Sequence, residues 1–143
     1  MVSIRPATPD DVAVLRELLA QLGYPLNAAE VQRRYDAVAG SAGHAMIVAT
    51  DNGQVVALCH MYIRPALDKP PGVVVQALVV DQASRGLGIG KLMMTAAEAY
   101  ATDRGFTSVA LGSNVSRSAA HAFYESLGYR NEGTSHQFRK MLS

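Results

Sequence analysis

The sequence predicts an α/β fold: one mixed, mostly antiparallel central sheet of about seven strands with flanking helices. Three observations carry this. Apolar periodicity alternates in the order strand, two helices, three strands, helix, strand, helix, two strands. One strand–glycine turn–helix–strand unit demands a right-handed crossover, which makes the strands at 73–81 and 106–112 parallel. The length, 143 residues with 49% hydrophobic and 17% charged, suits a single globular domain over 1–143 with no linker or repeat.

Each element has a local reason. "VSIRPA" is a short strand. In "TPDDVAVLRELLAQLGY", Thr8 can cap a helix, Pro9 fits its first position, and Asp11 stands where a capping-box acid belongs. Val12, Leu15, Leu18, Leu19 and Leu22 give that helix its apolar face; Gly23 and Pro25 end it. "NAAEVQRRYDAVAG" is a second, weaker helix. "HAMIVATDNGQVVALCHMYIRP" reads as two strands about an Asp51-Asn52-Gly53 turn. "VVVQALVVD", apolar on both faces, is a central strand. "GKLMMTAAEAYATDRG" is a helix stopped at Gly105, "FTSVALGS" a strand and "RSAAHAFYESLG" a helix. "YRNEG" and "SHQFRKML" are the last two strands.

Composition narrows the function. A formal net charge of +1 gives no basic excess for nucleic acid. The one cysteine, Cys59, lies in the apolar run "VVALCHMYI" and reads as a core residue, on the opposite strand face from His60. No run is long enough for a membrane span, and the first residues lack a signal-peptide pattern, so a cytoplasmic location is expected.

The informative stretch is "SRGLGIGKLM". Gly86, Gly88 and Gly90 alternate behind Arg85 and ahead of a helix. A helix start offers bare N–H donors and a partial positive charge, and glycines let a phosphate or pyrophosphate reach them. A Walker A loop fails, because Arg85 replaces its first glycine and Leu92 its serine or threonine. The dinucleotide fingerprint fails at Lys91.

The sequence resembles the GNAT acetyltransferase superfamily instead. Arg85-Gly86-Leu87-Gly88-Ile89-Gly90 is similar to its R/Q-x-x-G-x-G/A motif. "ALVVD" is similar to its L-x-V-x-P strand, with Gln82 in the proline's place. "RSAAHAFYESLGYR" resembles its second signature, and the opening "IRPATPDDVAVLRELLAQLGY" is typical. The resemblance covers essentially the whole chain.

It implies an N-acetyltransferase in which a primary amine attacks acetyl-CoA directly in a ternary complex, without a metal. The pyrophosphate would sit on Arg85, Gly86, Leu87, Gly88, Ile89, Gly90 and Lys91. The pantetheine arm would run along Leu78, Val79 and Val80 in a V-shaped splay beside a bulge, with the Val80 N–H polarising the acetyl carbonyl. Tyr124 matches the family's acid for the leaving thiolate. Asn114 and Arg117 are implied cofactor contacts, Arg117 standing where many members have asparagine. A homodimer through the C-terminal strands is also implied.

One departure matters. Many members carry an acid on the central strand, and here that place holds Gln76, which cannot take up the amine's proton. His60, beside the expected site, and His136, on the last strand, are alternatives for the base, as is a water chain; His121 is placed to orient its helix and His44 reads as an edge position. Gln76 also keeps open a non-catalytic CoA-binding regulatory module. Specificity is expected from 23–27, from the second helix with Glu30 and Asp36, and from the last turn. The sequence does not choose the acceptor among polyamine-like metabolites, amino acids, aminoglycosides and peptide N-termini.

Overall fold

In the computed structural model, which describes residues 1–143, the first helix starts as its sequence demands. After strand β1 (Val2–Pro6), the Thr8 N–H donates to Asp11 Oδ2 at 2.7 Å, closing a 3-10 turn at Pro9–Asp11 that runs into α1 (Val12–Leu22). Gly23, at φ +114°, ends α1. Asn27 caps α2 (Ala28–Ala39) by accepting from the Glu30 N–H at 2.8 Å. Next come β2 (His44–Asp51), β3 (Gln54–Arg64) and β4 (Gly72–Val80), then α3 (Ile89–Asp103) and β5 (Val109–Leu111).

These elements form one compact unit, Met1–Leu111. Its sheet has the order β1-β2-β3-β4-β5. The first three pairings are antiparallel and β4–β5 is parallel, as the crossover required. Strand alternation divides the side chains between two layers. Ala49, Ala57, Cys59, Met61, Val73 and Val75 are buried on the face covered by α3, which contributes Ile89, Met93, Met94, Ala97 and Ala101. Val48, Leu58 and Val79 join Leu15 and Leu18 of α1 and Tyr35 of α2 on the other.

Register slips twice. Ala49 opposes Ala57 but Thr50 opposes Val55, so Val56 is an extra residue in β3. His60 opposes Ala77 but Met61 opposes Val75, so Gln76 is an extra residue in β4. Both are β-bulges.

A second unit, Gly112–Ser143, contains α4 (Ser118–Ser126). Here the expectation of about seven strands is corrected: the sheet has five. Residues 129–143 form no ladder. The physical reason lies in their pattern. Phe138, Met141 and Leu142 do not alternate, so no strand face could bury all three, and they are 93%, 83% and 86% exposed. "YRNEG" has one apolar residue and no buried one. β5 is likewise shorter than the expected 106–112.

Asp11 ties the first strand to the first helix. It is 5% exposed, and its carboxylate takes Arg5 Nη1 at 2.8 Å and Nη2 at 2.9 Å. The Arg5 hydrogen bonds, with help from Thr8, hold its pKa below the usual range. That stabilisation is present above the ordinary carboxylate pKa and is lost as pH falls through the depressed folded value. Asp11→Asn should therefore cost about 1–2 kcal/mol near neutral pH. Urea unfolding of the two proteins should converge as the acid range is entered.

Candidate active site

β4 and β5 stay together for three register pairs, Val73↔Val109, Val74↔Ala110 and Val75↔Leu111. The next residue on β4 is the bulged Gln76, which is exposed. From there residues 76–80 run on against β3 alone, because β5 ends at Leu111. Within this stretch Val79 is buried among core residues, whereas Leu78 and Val80 are half-buried. What Val79 offers along that unpaired edge is its backbone.

The end of β4 is anchored rather than loose. The Asp81 N–H donates to the carbonyl of Val56, the extra residue of β3, at 2.7 Å. Gln21 of α1 holds the same turn twice: its Nε2 donates to Asp81 Oδ1 at 2.8 Å and its Oε1 accepts from the Gln82 N–H at 2.8 Å. Arg85 Nε donates to the Val80 carbonyl at 3.2 Å. In the sequence Gln21 looks like any polar residue on an amphipathic helix, and no local spacing links it to residues 60 positions away.

The glycine turn follows. Gly86 and Gly88 sit at φ +83° and +80°, where a side chain is strained, and the space a Cβ would enter is open at both. Gly90 has no such backbone requirement. Gly88 is the N-cap of α3 and offers no side-chain cap. The first helical bond runs from the Leu92 N–H to the Gly88 carbonyl at 3.1 Å, so the amides of Ile89, Gly90 and Lys91 precede the ladder. α3, which buries one face on the sheet, thus begins with an uncapped end.

The histidines separate. His60 is half-buried on the strand face opposite Cys59, as alternation required. Its Nε2 lies 3.0 Å from His44 Nδ1, and His44 stacks on Tyr62 with centroids 5.2 Å apart. Burial, and then the neighbouring His44 ring, lower the His60 pKa below the usual histidine value. Cys59 is fully buried and its thiol is pushed up to about 12, which removes it as a nucleophile at neutral pH. The helix carboxylates do not stand free. Glu30 pairs with Arg33 and Arg34, and Asp36 accepts from Gln32 Nε2 at 3.0 Å.

In the second unit, Asn114 Oδ1 accepts from the Ser116 N–H at 2.9 Å and the Ser116 hydroxyl at 2.8 Å. The Asn114 carbonyl takes the Arg117 N–H at 3.0 Å and lies 2.8 Å from His121 Nε2. His121 therefore fixes the start of α4, with Arg117 as N-cap. Tyr124 is half-buried, edge-on to Phe123 and Tyr129 at 5.1 and 6.1 Å. His136 is exposed.

Comparison with known proteins gives one consistent answer. The sequence model of the acetyltransferase (GNAT) family matches residues 12–129. An aminoglycoside N(6')-acetyltransferase type 1 of Stenotrophomonas maltophilia is 26% identical over 145 residues, spanning 98% of this chain and 94% of that protein. Among solved structures, an aminoglycoside antibiotic 6'-N-acetyltransferase of Acinetobacter haemolyticus has a TM-score of 0.86 at 19% identity, over 99% of each chain. An aminoglycoside N-acetyltransferase in complex with CoA has a TM-score of 0.89 at 18% identity, over 99% of this chain and 96% of that one. At those identities the structural likeness establishes the fold.

The two strained glycines make a direct prediction. Gly86→Ala and Gly88→Ala should each cost about 1–2 kcal/mol of stability in urea unfolding, from the left-handed backbone alone. Gly90→Ala should not carry that penalty.

Proposed function

Because this chain belongs to the acetyltransferase (GNAT) family, we propose that it transfers the acetyl group of acetyl-CoA to a primary amine by direct attack in a ternary complex. The observation that carries this reading is a stretch of β4 with no β5 partner beyond Val75 that leads straight into the uncapped start of α3. A long cofactor with a diphosphate at one end and a thioester at the other fits that arrangement.

In this reading the diphosphate lies on the N–H groups of residues 86–91, with Arg85 adding charge. Glycines at 86 and 88 leave the approach open. The pantetheine arm pairs with the free side of residues 78–80, as a strand would. The Val80 N–H stabilises the oxyanion formed when the amine adds to the thioester carbon, a contribution of about 3 kcal/mol. Collapse breaks the C–S bond, Tyr124 delivers a proton to the departing thiolate, and the proton that the adduct's nitrogen loses restores the phenol. Arg117 meets the cofactor's phosphates. Asn114 Oδ1 is taken by Ser116, so its Nδ2 is the group left for the cofactor.

The acceptor is a small-molecule or peptide amine. Of the two α2 carboxylates, Glu30 is ion-paired with Arg33 and Arg34 on its own helix, so it does not supply a strong cation site. The exposed Phe138, Met141 and Leu142 support a homodimer that covers them. The absence of any helix long and apolar enough to cross a membrane is compatible with a cytoplasmic enzyme.

An amine screen tests the reaction. Acetyl-CoA with aminoglycosides, polyamines, amino acids and peptide N-termini should release CoA thiol with at least one class. Tight CoA binding without release for any amine would instead favour the regulatory module. Gly88→Glu places a carboxylate at the phosphate site and should abolish acetyl-CoA binding in isothermal titration; undiminished affinity in a folded variant would remove the assignment of the turn.

Tyr124→Phe separates catalysis from packing. It should lower kcat by about 10²-fold while the acetyl-CoA Kd stays within about twofold. An unchanged kcat would return Tyr124 to the apolar face of α4.

A further inference from the structure

The position that many family members fill with an acid holds Gln76, and Gln76 is also the residue that β3 leaves unpaired. Two residues of β4, Gln76 and Ala77, stand where β3 has one. The β3 residue at that point is His60, whose register partner is Ala77. The β4–β5 pairing ends immediately before Gln76. His60 therefore stands beside that end, on the adjacent strand.

His60 does not stand alone. His44 Nδ1 is 3.0 Å from its Nε2, and His44 is exposed where His60 is half-buried. The two rings thus form a line from that end of the pairing to solvent. No third histidine, cysteine, aspartate or glutamate joins them to make a metal site. We propose that His60 is the general base of the acetyl transfer and that His44 relays its proton to water. The proposal rests on the acetyltransferase reading above.

The proton count closes with one tautomer. An amine arriving as its ammonium gives a proton to His60 Nδ1. His60 passes its Nε2 proton to His44 Nδ1, and His44 releases its own Nε2 proton to water. Both rings end neutral with their tautomers exchanged, and proton exchange with water restores the starting tautomers before the next turnover. The neutral amine then attacks the thioester carbon, and the second proton leaves the adduct's nitrogen as the C–S bond breaks, replacing the one Tyr124 gives the thiolate.

The surroundings favour a neutral His60. His44 and Tyr62 are the titratable neighbours from β2 and β3, and Arg64 lies further along the same face. β4 and β5 present Val74, Ala77 and Ala110 there, none of them ionisable. Leu15 and Leu18 of α1 and Tyr35 of α2 belong to the adjoining core cluster. No carboxylate raises the pair, and burial with the second ring lowers His60.

Two amines of similar size make the test. Ethylamine is an ammonium ion at neutral pH; 2,2,2-trifluoroethylamine is already neutral. His60→Gln should lower kcat/KM for ethylamine by about 10²-fold and for trifluoroethylamine by less than about threefold. His44→Ala, at an exposed position, should lower the ethylamine value by about tenfold and be partly rescued by added imidazole. With the strongest acceptor of the screen, the fall in wild-type kcat/KM toward low pH should lose the histidine titration in His60→Gln. Acetyl-CoA affinity reports folding of both variants. Equal losses with the two amines, or none, would overturn the relay while leaving the acetyltransferase intact. A wild type that releases CoA with no amine would overturn the acetyltransferase reading itself.

Discussion

Register is the constraint on which this molecule's chemistry depends, and two extra residues set it. Without Val56, β2 and β3 would keep the register that pairs Asp51 with Gln54. His44 would then face Met61 and α3, while His60 faced α1 and α2. The bulge moves every pair beyond it by one place, so that Met46 opposes His60 and Tyr62 opposes His44. Only then do the two imidazoles share a face. The second extra residue, Gln76, bends β4 at the point where it leaves β5. Neither bulge is idle elsewhere: the Val56 carbonyl takes the Asp81 N–H and so fixes where the glycine turn begins.

The rest of the first unit keeps these offsets in place. A parallel pair such as β4–β5 needs a crossover, and α3 supplies it. Burying Met93 and Met94, each fully enclosed, is worth about 2 kcal/mol apiece and holds that helix flat on the sheet. Its first turn then projects beyond the end of β4 because the chain has no other route. The amides at 89–91 precede the helical ladder, and no side chain caps them. Gln21 adds a third attachment from α1, on the other face of the sheet.

Much of this was legible in the residues. Thr8, Pro9 and Asp11 marked a helix start, and the structure shows their hydrogen bonds. Asn52-Gly53 marked the β2–β3 turn, and alternation put Cys59 and His60 on opposite faces. The glycine spacing marked the start of α3 within a residue or two. What failed has physical causes. A bulge leaves no compositional trace at Val56, so His44 looked like an isolated edge residue although it meets a histidine 16 positions away. The two last strands were read from chain order more than from pattern, and their apolar residues do not alternate.

Cys59 has one further consequence. It is the chain's single sulfhydryl, wholly enclosed by the α3 layer, with burial raising its pKa to about 12. A disulfide reagent in neutral buffer finds almost no thiolate there and no path to it. The native protein is therefore silent to such a dye, and any colour that develops beyond the blank counts cofactor sulfur alone.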